Sequence, residues 1–300
     1  MARHIAIYGL QKAPFSTCER SGLVLATGPL SRAATRIAAD FERDAPLVCV
    51  GGAPGMGKSS LLRVLPGMLG EGYRCALLRG SRGGSSGDAV DAWIAGAFRL
   101  EGEGLSREAL VSRREDGRRL VLLVDDADRL TSQVLERVAA LPDCTDAAGR
   151  PLVQVVISAD LDRRERESWS PLLAWIDPFW IVRLDTLTPD SMHLYLDRRM
   201  RQAGWRGRTL FSETAALAVH RRTGGNPGSV SRLCSELLDL ASADGISTID
   251  ADFVLRAAPG AAASPPPPSP PAASSIDSAL ARQPLTADSI RNAPSLDLAD

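Results

Sequence analysis

The sequence predicts an α/β domain built on a parallel sheet, followed by a small all-helical unit and a proline-rich tail. Three observations carry that prediction. Short apolar runs alternate with helical patterns over the first part of the chain. From Leu187 the pattern turns purely helical, and near residue 258 the composition breaks. The expected units are residues 1–186, 187–258 and 259–300.

Five runs read as strands: Leu47–Gly51, Cys75–Arg79, Leu120–Val124, Val153–Ile157 and Trp180–Leu184. They are unbroken rather than alternating, as in strands covered on both faces. Gly80–Gly87, rich in glycine and serine, and the charged Leu100–Arg107 read as loops. Between strands, Lys58–Leu69 carries Leu61, Leu62, Leu65 and Leu69 on one helical face. Asp128 is expected to cap a helix that includes Val134, Leu135 and Val138. Thr188 with Pro189 opens the first helix of the second unit, with Met192, Tyr195, Leu196 and Met200 on one face. Ser212 caps a second helix that stops at Gly224-Gly225, and Asn226 with Pro227 starts a third. In that third helix Val230, Leu233, Cys234, Leu237, Leu238 and Ala241 follow the helical period, and Asp250 caps a last short helix. Pro265–Pro268, Pro270 and Pro271 remove backbone donors and favour extended chain, so the tail is expected to be a disordered linker or a tether presenting a short motif around Ile276–Leu285.

Composition narrows the function. Lys plus Arg number 35 against 36 Asp plus Glu, a net charge of −1, which argues against gripping nucleic acid by global positive charge. No apolar run reaches the roughly 18–20 residues of a membrane-spanning helix. Met1–Leu10 lacks the basic-then-apolar order of a secretory signal. Cys18, Cys49, Cys75, Cys144 and Cys234 are scattered without a Cys-x-x-Cys pair, which fits reduced thiols. The expected location is the cytoplasm.

The chemistry begins at Gly52-Ala53-Pro54-Gly55-Met56-Gly57-Lys58-Ser59, a glycine, four residues, then Gly-Lys-Ser. This is the phosphate-binding, or Walker A, pattern. Small residues let the backbone curl until its amides converge on a polyphosphate at a helix N-terminus. Lys58 then reaches the β and γ phosphates, and the Ser59 hydroxyl ligates magnesium, with Ser60 next on the helix. Lys12 and Lys58 are the two lysines of the chain, the other basic residues being arginine. Lysine stands where a compact ammonium differs most from a guanidinium fork.

Leu120–Val124 runs into Asp125-Asp126, an apolar strand ending in two carboxylates. The strand is expected to deliver Asp125 to the sheet edge beside the phosphate loop, where it holds magnesium through water. Asp126 would polarise the attacking water. An Asp in this role withdraws the carboxylate by about 1.5 Å relative to Glu, which predicts slow hydrolysis or a nucleotide switch. At the tip of Val153–Ile157, Ser158 is a candidate sensor of the γ-phosphate or lytic water, or simply a turn cap. Arg163 and Arg164, with Arg166 close by, are candidates for an arginine that completes a neighbouring subunit's site, or a solvated basic turn. The clusters Arg113–Arg119, Arg198–Arg201, Arg206–Arg208 and Arg221–Arg222 read as helix surface or as contacts to DNA phosphates. Trp169, Trp175, Phe179 and Trp180 read as packing residues, and His4, His193 and His220 show no ligand spacing.

Beyond the generic site, the chain resembles the ExeA/GspA branch of the AAA+ ATPases over most of residues 1–258. The resemblance runs through Tyr8-Gly9-Leu10 and Pro14-Phe15-Ser16, the phosphate loop, the Asp125-Asp126 strand, Leu187-Thr188-Pro189, and Thr223-Gly224-Gly225-Asn226-Pro227. It implies a P-loop NTPase (AAA+) fold with a helical lid, ATP and magnesium as cofactors, adenine near the N-terminal segment and Pro227, homo-oligomers, and a protein partner in a bacterial secretion or envelope complex. Two positions depart from the family pattern. Asp126 replaces the usual Glu, and Gly228 follows the lid proline where an arginine is usual, with Arg232 one turn on. The membrane span and peptidoglycan-binding segment of secretion members are not expected after residue 258. Two alternatives stay open: an ATP-dependent DNA-binding transposition regulator similar to TniB or MuB, and a nucleotide-responsive adaptor with little hydrolysis.

Overall fold

The computed structural model describes residues 3–15, 28–79, 87–100, 104–114, 117–161 and 176–257. The chain opens with α1 (Arg3–Ile7) and α2 (Gly28–Glu42), then β1 (Leu47–Gly51), α3 (Lys58–Leu69) and β2 (Tyr73–Arg79). Next come α4 (Gly87–Phe98), α5 (Arg107–Arg114), β3 (Arg119–Asp125), a 3-10 turn at Ala127–Arg129, and α6 (Ser132–Ala140). β4 (Val153–Ala159) and β5 (Ile181–Arg183) complete the α/β unit. The helical unit consists of α7 (Pro189–Gln202), α8 (Glu213–Thr223), α9 (Pro227–Ala243) and α10 (Ala251–Ala257).

The strands lie in the order β2-β3-β4-β1-β5, every pairing parallel. β1 and β3 are therefore separated only by β4, which brings the ends of all three to one edge of the sheet. Although β3 reads as one apolar run, its side chains alternate between two cores, as strand geometry requires. Leu120, Leu122 and Val124 join a core with α4, α5 and α6, while Val121 and Leu123 join one with α2 and α3. Both faces are covered, which is why no polar alternation marks this strand.

Local signals set most boundaries. Thr188 and Ser191 form a reciprocal capping box at α7, with Pro189 where its missing N–H costs nothing. Ser212, Asn226 and Asp250 accept from the first-turn amides of α8, α9 and α10 as expected. Asp128 does not cap α6, however. Thr131 does, accepting from Val134 N, because Ala127–Arg129 is used up in the 3-10 turn after β3. Trp180 also lies in a 3-10 turn rather than a strand, and β5 reaches only from Ile181 to Arg183. An edge strand has one partner, here β1, and is readily shortened.

A third core holds the helical unit together, and the N-terminal segment belongs to it. Tyr8, Leu10 and Phe15 are buried among Leu196, Phe211, Val219 and Leu237, although the sequence groups these residues with the α/β unit. The Tyr8 hydroxyl donates to Ile246 O at 2.9 Å, and Gln11 N donates to Ala203 O at 2.8 Å. Buried His4 bonds Asp239 through Nδ1 at 2.6 Å. The proline-rich tail, from 259 onward, lies outside the described residues. Among those described, no helix is long and apolar enough to cross a membrane.

Candidate functional site

The loop 52–57 leaves β1 at the sheet edge and enters α3 through two left-handed glycines, Gly55 (φ +83) and Gly57 (φ +97). A side chain is strained at either angle, so the curl depends on glycine there. Met56 turns inward into the core under the loop, whereas Pro54 and Gly55 stay exposed. Lys58 and Ser59 form the first turn of α3, with Ser60 behind them.

Lys58 folds over the loop. Its Nζ donates to Gly52 O at 2.5 Å and Ala53 O at 3.2 Å. Burial pulls its pKa below the ordinary lysine value, against the opposing pull of Asp160, Asp128, Asp126 and Asp125. An ammonium partly stripped of water and held by two carbonyls is poised to take a better anionic partner.

The ends of β3 and β4 and the first turn of α3 together assemble a carboxylate and two hydroxyls. Ser59 Oγ donates to Asp125 Oδ1 at 3.0 Å, and Ser158 Oγ donates to the same oxygen at 2.7 Å. Ser158 is fully buried and also accepts the backbone N–H of Asp126 at 3.0 Å. Its hydroxyl therefore links the Asp125 carboxylate to the Asp126 backbone and ties β4 to the end of β3. Asp126 adopts a left-handed conformation (φ 52, ψ 49), which is uncommon for a residue with a side chain. Its carboxylate lies 3.6 Å from the Arg129 guanidinium. Burial and then the charge of Asp125 raise its pKa above the usual aspartate value, with Arg129 opposing.

These residues fit a magnesium nucleotide. A hydroxyl and a carboxylate are hard oxygen ligands, and Mg²⁺ bound with nucleotide characteristically takes one or two protein groups and completes its shell with phosphates and water. Among the described residues no cluster of three or more His, Cys, Asp or Glu is arranged to hold a metal by itself.

The structure brings together Gly52, Ala53, Pro54, Gly55, Met56, Gly57, Lys58, Ser59, Asp125, Asp126 and Ser158. Arg163 and Arg164, in 162–175, lie outside the described residues. Pro227 occupies the first position of α9, between two residues that touch the loop. A cleft opens between the start of α2 (Pro29, Arg32) and the helical unit (Leu187, Thr188, Tyr195, Arg198); neither residues 3–15 nor Pro227 line it.

Sequence reasoning missed three participants. Asn226, read as a helix cap and as part of the 223–227 motif, donates through Nδ2 to Pro54 O at 3.0 Å, and Gly228 N donates to Gly55 O at 2.9 Å. The glycine-rich stretch at 223–228 was the available signal. Asp160, just past β4, is buried and is the nearest in effect of the charges acting on Lys58. Of the arginines offered to DNA, Arg113, Arg114 and Arg119 are tied inward, to Phe98 O, Pro151 O and Phe41 O.

Comparison with known proteins bears on the fold. The family model described as an AAA domain matches residues 42–166. No curated protein matches the chain. Among solved structures, Cdc6p from Pyrobaculum aerophilum superposes with a TM-score of 0.57 at 19% identity, covering 83% of this chain and 70% of that one. The ORC2 protein of Aeropyrum pernix gives 0.58 at 13% identity, covering 84% and 72%. At these identities the likeness concerns fold alone. The parallel five-stranded sheet flanked by helices, with its phosphate loop after β1 and its helical lid, is the fold of an AAA+ P-loop NTPase.

Proposed function

We propose that this chain binds Mg-ATP in the loop 52–59 and hydrolyses it slowly, coupling the cycle to remodelling of an oligomer or a protein partner. The observation that carries the reading is the meeting of Lys58, Ser59 and Asp125 at one sheet edge. The ORC2 protein, which shares the fold, holds ADPNP and ADP.

Ser59 and Asp125 would hold magnesium, which when bound draws negative charge from the phosphoryl group being transferred. Lys58 exchanges its two carbonyl partners for phosphate oxygens. Asp126 orients and polarises the attacking water, and its short side chain sets a low rate. Ser158 keeps Asp125 aimed at the metal position. Arg163 and Arg164 act on a neighbouring subunit's nucleotide in a homo-oligomer. The resemblance to the ExeA/GspA branch supports a cytoplasmic role beside a secretion or envelope-assembly complex.

A second reading, ATP-dependent DNA binding, draws on the exposed Arg198, Arg201, Arg206, Arg208 and Arg221 of the helical unit. It requires salt-sensitive, ATP-dependent retention of DNA, and absence of retention at low salt removes it.

Thermal unfolding with Mg-ATP tests the main reading. A ligand at 100 times its Kd adds about 2.7 kcal/mol of stability. The wild type is expected to gain several degrees and Lys58→Ala none. A wild type that melts identically with and without Mg-ATP overturns the proposal.

A further inference from the structure

The lid touches the phosphate loop through the Asn226 side chain and the Gly228 main chain, and the contact is close. Asn226 serves two masters. Its Oδ1 accepts from Gly228 N at 3.0 Å and Ser229 N at 3.1 Å, capping α9, while its Nδ2 donates to Pro54 O at 3.0 Å. Gly228 N is shared between that cap and Gly55 O, at 2.9 Å. A Cβ at residue 228 would stand 2.7 Å from Gly55 Cα, and one at residue 55 would stand 2.7 Å from Asn226 Oδ1. The obstacle facing residue 228 is backbone, so any side chain there parts the lid from the loop, and the Asn226 Oδ1 facing residue 55 is held in place by the amides of Gly228 and Ser229.

We infer that Asn226 is a positioning residue of the nucleotide site, holding the loop to the lid through the Pro54 and Gly55 carbonyls across a glycine–glycine contact. The inference rests on the nucleotide-binding reading of that loop. The Pro54 carbonyl shares a peptide unit with the Gly55 amide, and the Gly55 carbonyl with the Met56 amide, which closes the loop's own turn onto Ala53 O at 3.3 Å. A hydrogen bond accepted on the oxygen makes the amide a stronger donor. The lid thereby strengthens the loop's grip on phosphate, and nucleotide in turn stabilises the closed lid, as reciprocity of linked equilibria demands. At position 228 the backbone N–H makes the contact, and the 2.7 Å between an added Cβ and Gly55 Cα leaves no room for a side chain.

The test separates coupling from capping. Asn226→Asp keeps an oxygen for the α9 cap and replaces the Nδ2 donor by an acceptor facing Pro54 O. Amide hydrogen exchange of the nucleotide-free full chain is read first, then affinity for a fluorescent ATP analogue with magnesium. Asn226→Asp is expected to speed exchange at Gly55, Met56 and Gly228 while Leu233–Leu238 stay protected, and to weaken binding about three- to tenfold, the range of one hydrogen bond. Gly228→Arg is expected to do the same. Ser212→Ala removes a similar cap on α8, away from the loop, and leaves affinity unchanged. Loop exchange that does not respond to Asn226→Asp overturns the proposal, as does wild-type affinity in that variant, or tighter binding in Gly228→Arg. A wild type that fails to bind the analogue overturns the nucleotide reading and the positioning role together. That failure is distinct from loss of the contact, which exchange reports without nucleotide.

Discussion

Ser158 illustrates how one hydroxyl can organise a site. It is buried, donates to Asp125 and accepts from the Asp126 amide, so both acidic residues depend on it. Ser158→Ala leaves a buried carboxylate short of a donor and a backbone amide short of an acceptor. The expected cost is about 1–3 kcal/mol in the urea midpoint, with a rise in the magnesium concentration needed for nucleotide binding. Asp126 calls for the opposite sign. Its raised native pKa means that ionisation costs the folded state stability. That cost is absent where the group is protonated both folded and unfolded, and full above the native pKa. Asp126→Asn is therefore expected to raise the melting temperature at neutral pH, with the gain shrinking as pH falls toward the ordinary aspartate range. Because the side chain is 40% exposed, solvent screens the effect, and about 1–2 °C is the expected size. Hydrolysis falls in the same variant. A melting curve that moves down at neutral pH contradicts this account. The histidines show the limit of residue-level reading. Without ligand spacing they carry no visible role, yet His4 bonds Asp239 and His220 Nε2 lies 3.0 Å from Leu187 O, both holding segments far apart in sequence.

At the scale of elements, the phosphate loop and the helices of the lid were legible because their signals are local. Lys58–Leu69, Thr188, Ser212 and Asn226 each announce a helix start within a few residues. The missed boundaries have tertiary causes. β2 begins at Tyr73 rather than Cys75 because Tyr73 and Arg74 find register partners in Arg119 and Leu120, which composition cannot reveal. The junction from sheet to lid is likewise a contact between distant residues: Leu187 N donates to Gly225 O at 2.9 Å. Gly225 sits at φ +73, and an added Cβ would fall 2.1 Å from Leu187 O. Gly225→Ala combines backbone strain with overpacking and is expected to cost about 2–4 kcal/mol in denaturant unfolding. A variant that unfolds at the wild-type midpoint would show that the lid entrance yields without strain.

Over the whole molecule, the N-terminal segment reaches across to the far end of the chain. Phe15 is 4% exposed and meets Phe211 edge to face, with ring centroids 5.9 Å apart. Phe15→Ala is expected to destabilise by about 3–5 kcal/mol and to lower hydrogen-exchange protection in α8 more than in β3. Equal loss in both units would mean that the segment braces the sheet instead. The sequence by itself determined the strands, the phosphate loop, the carboxylate pair and the lid caps, because apolar runs, glycine at left-handed angles and capping side chains act over a few residues. Only the tertiary structure decided that Ser158 serves Asp125, that residues 3–15 join the helical core, and that Asn226 and Gly228 clasp the loop. Those outcomes depend on which surfaces meet, and hydrogen bonds between residues more than thirty to more than two hundred positions apart leave no periodicity to read.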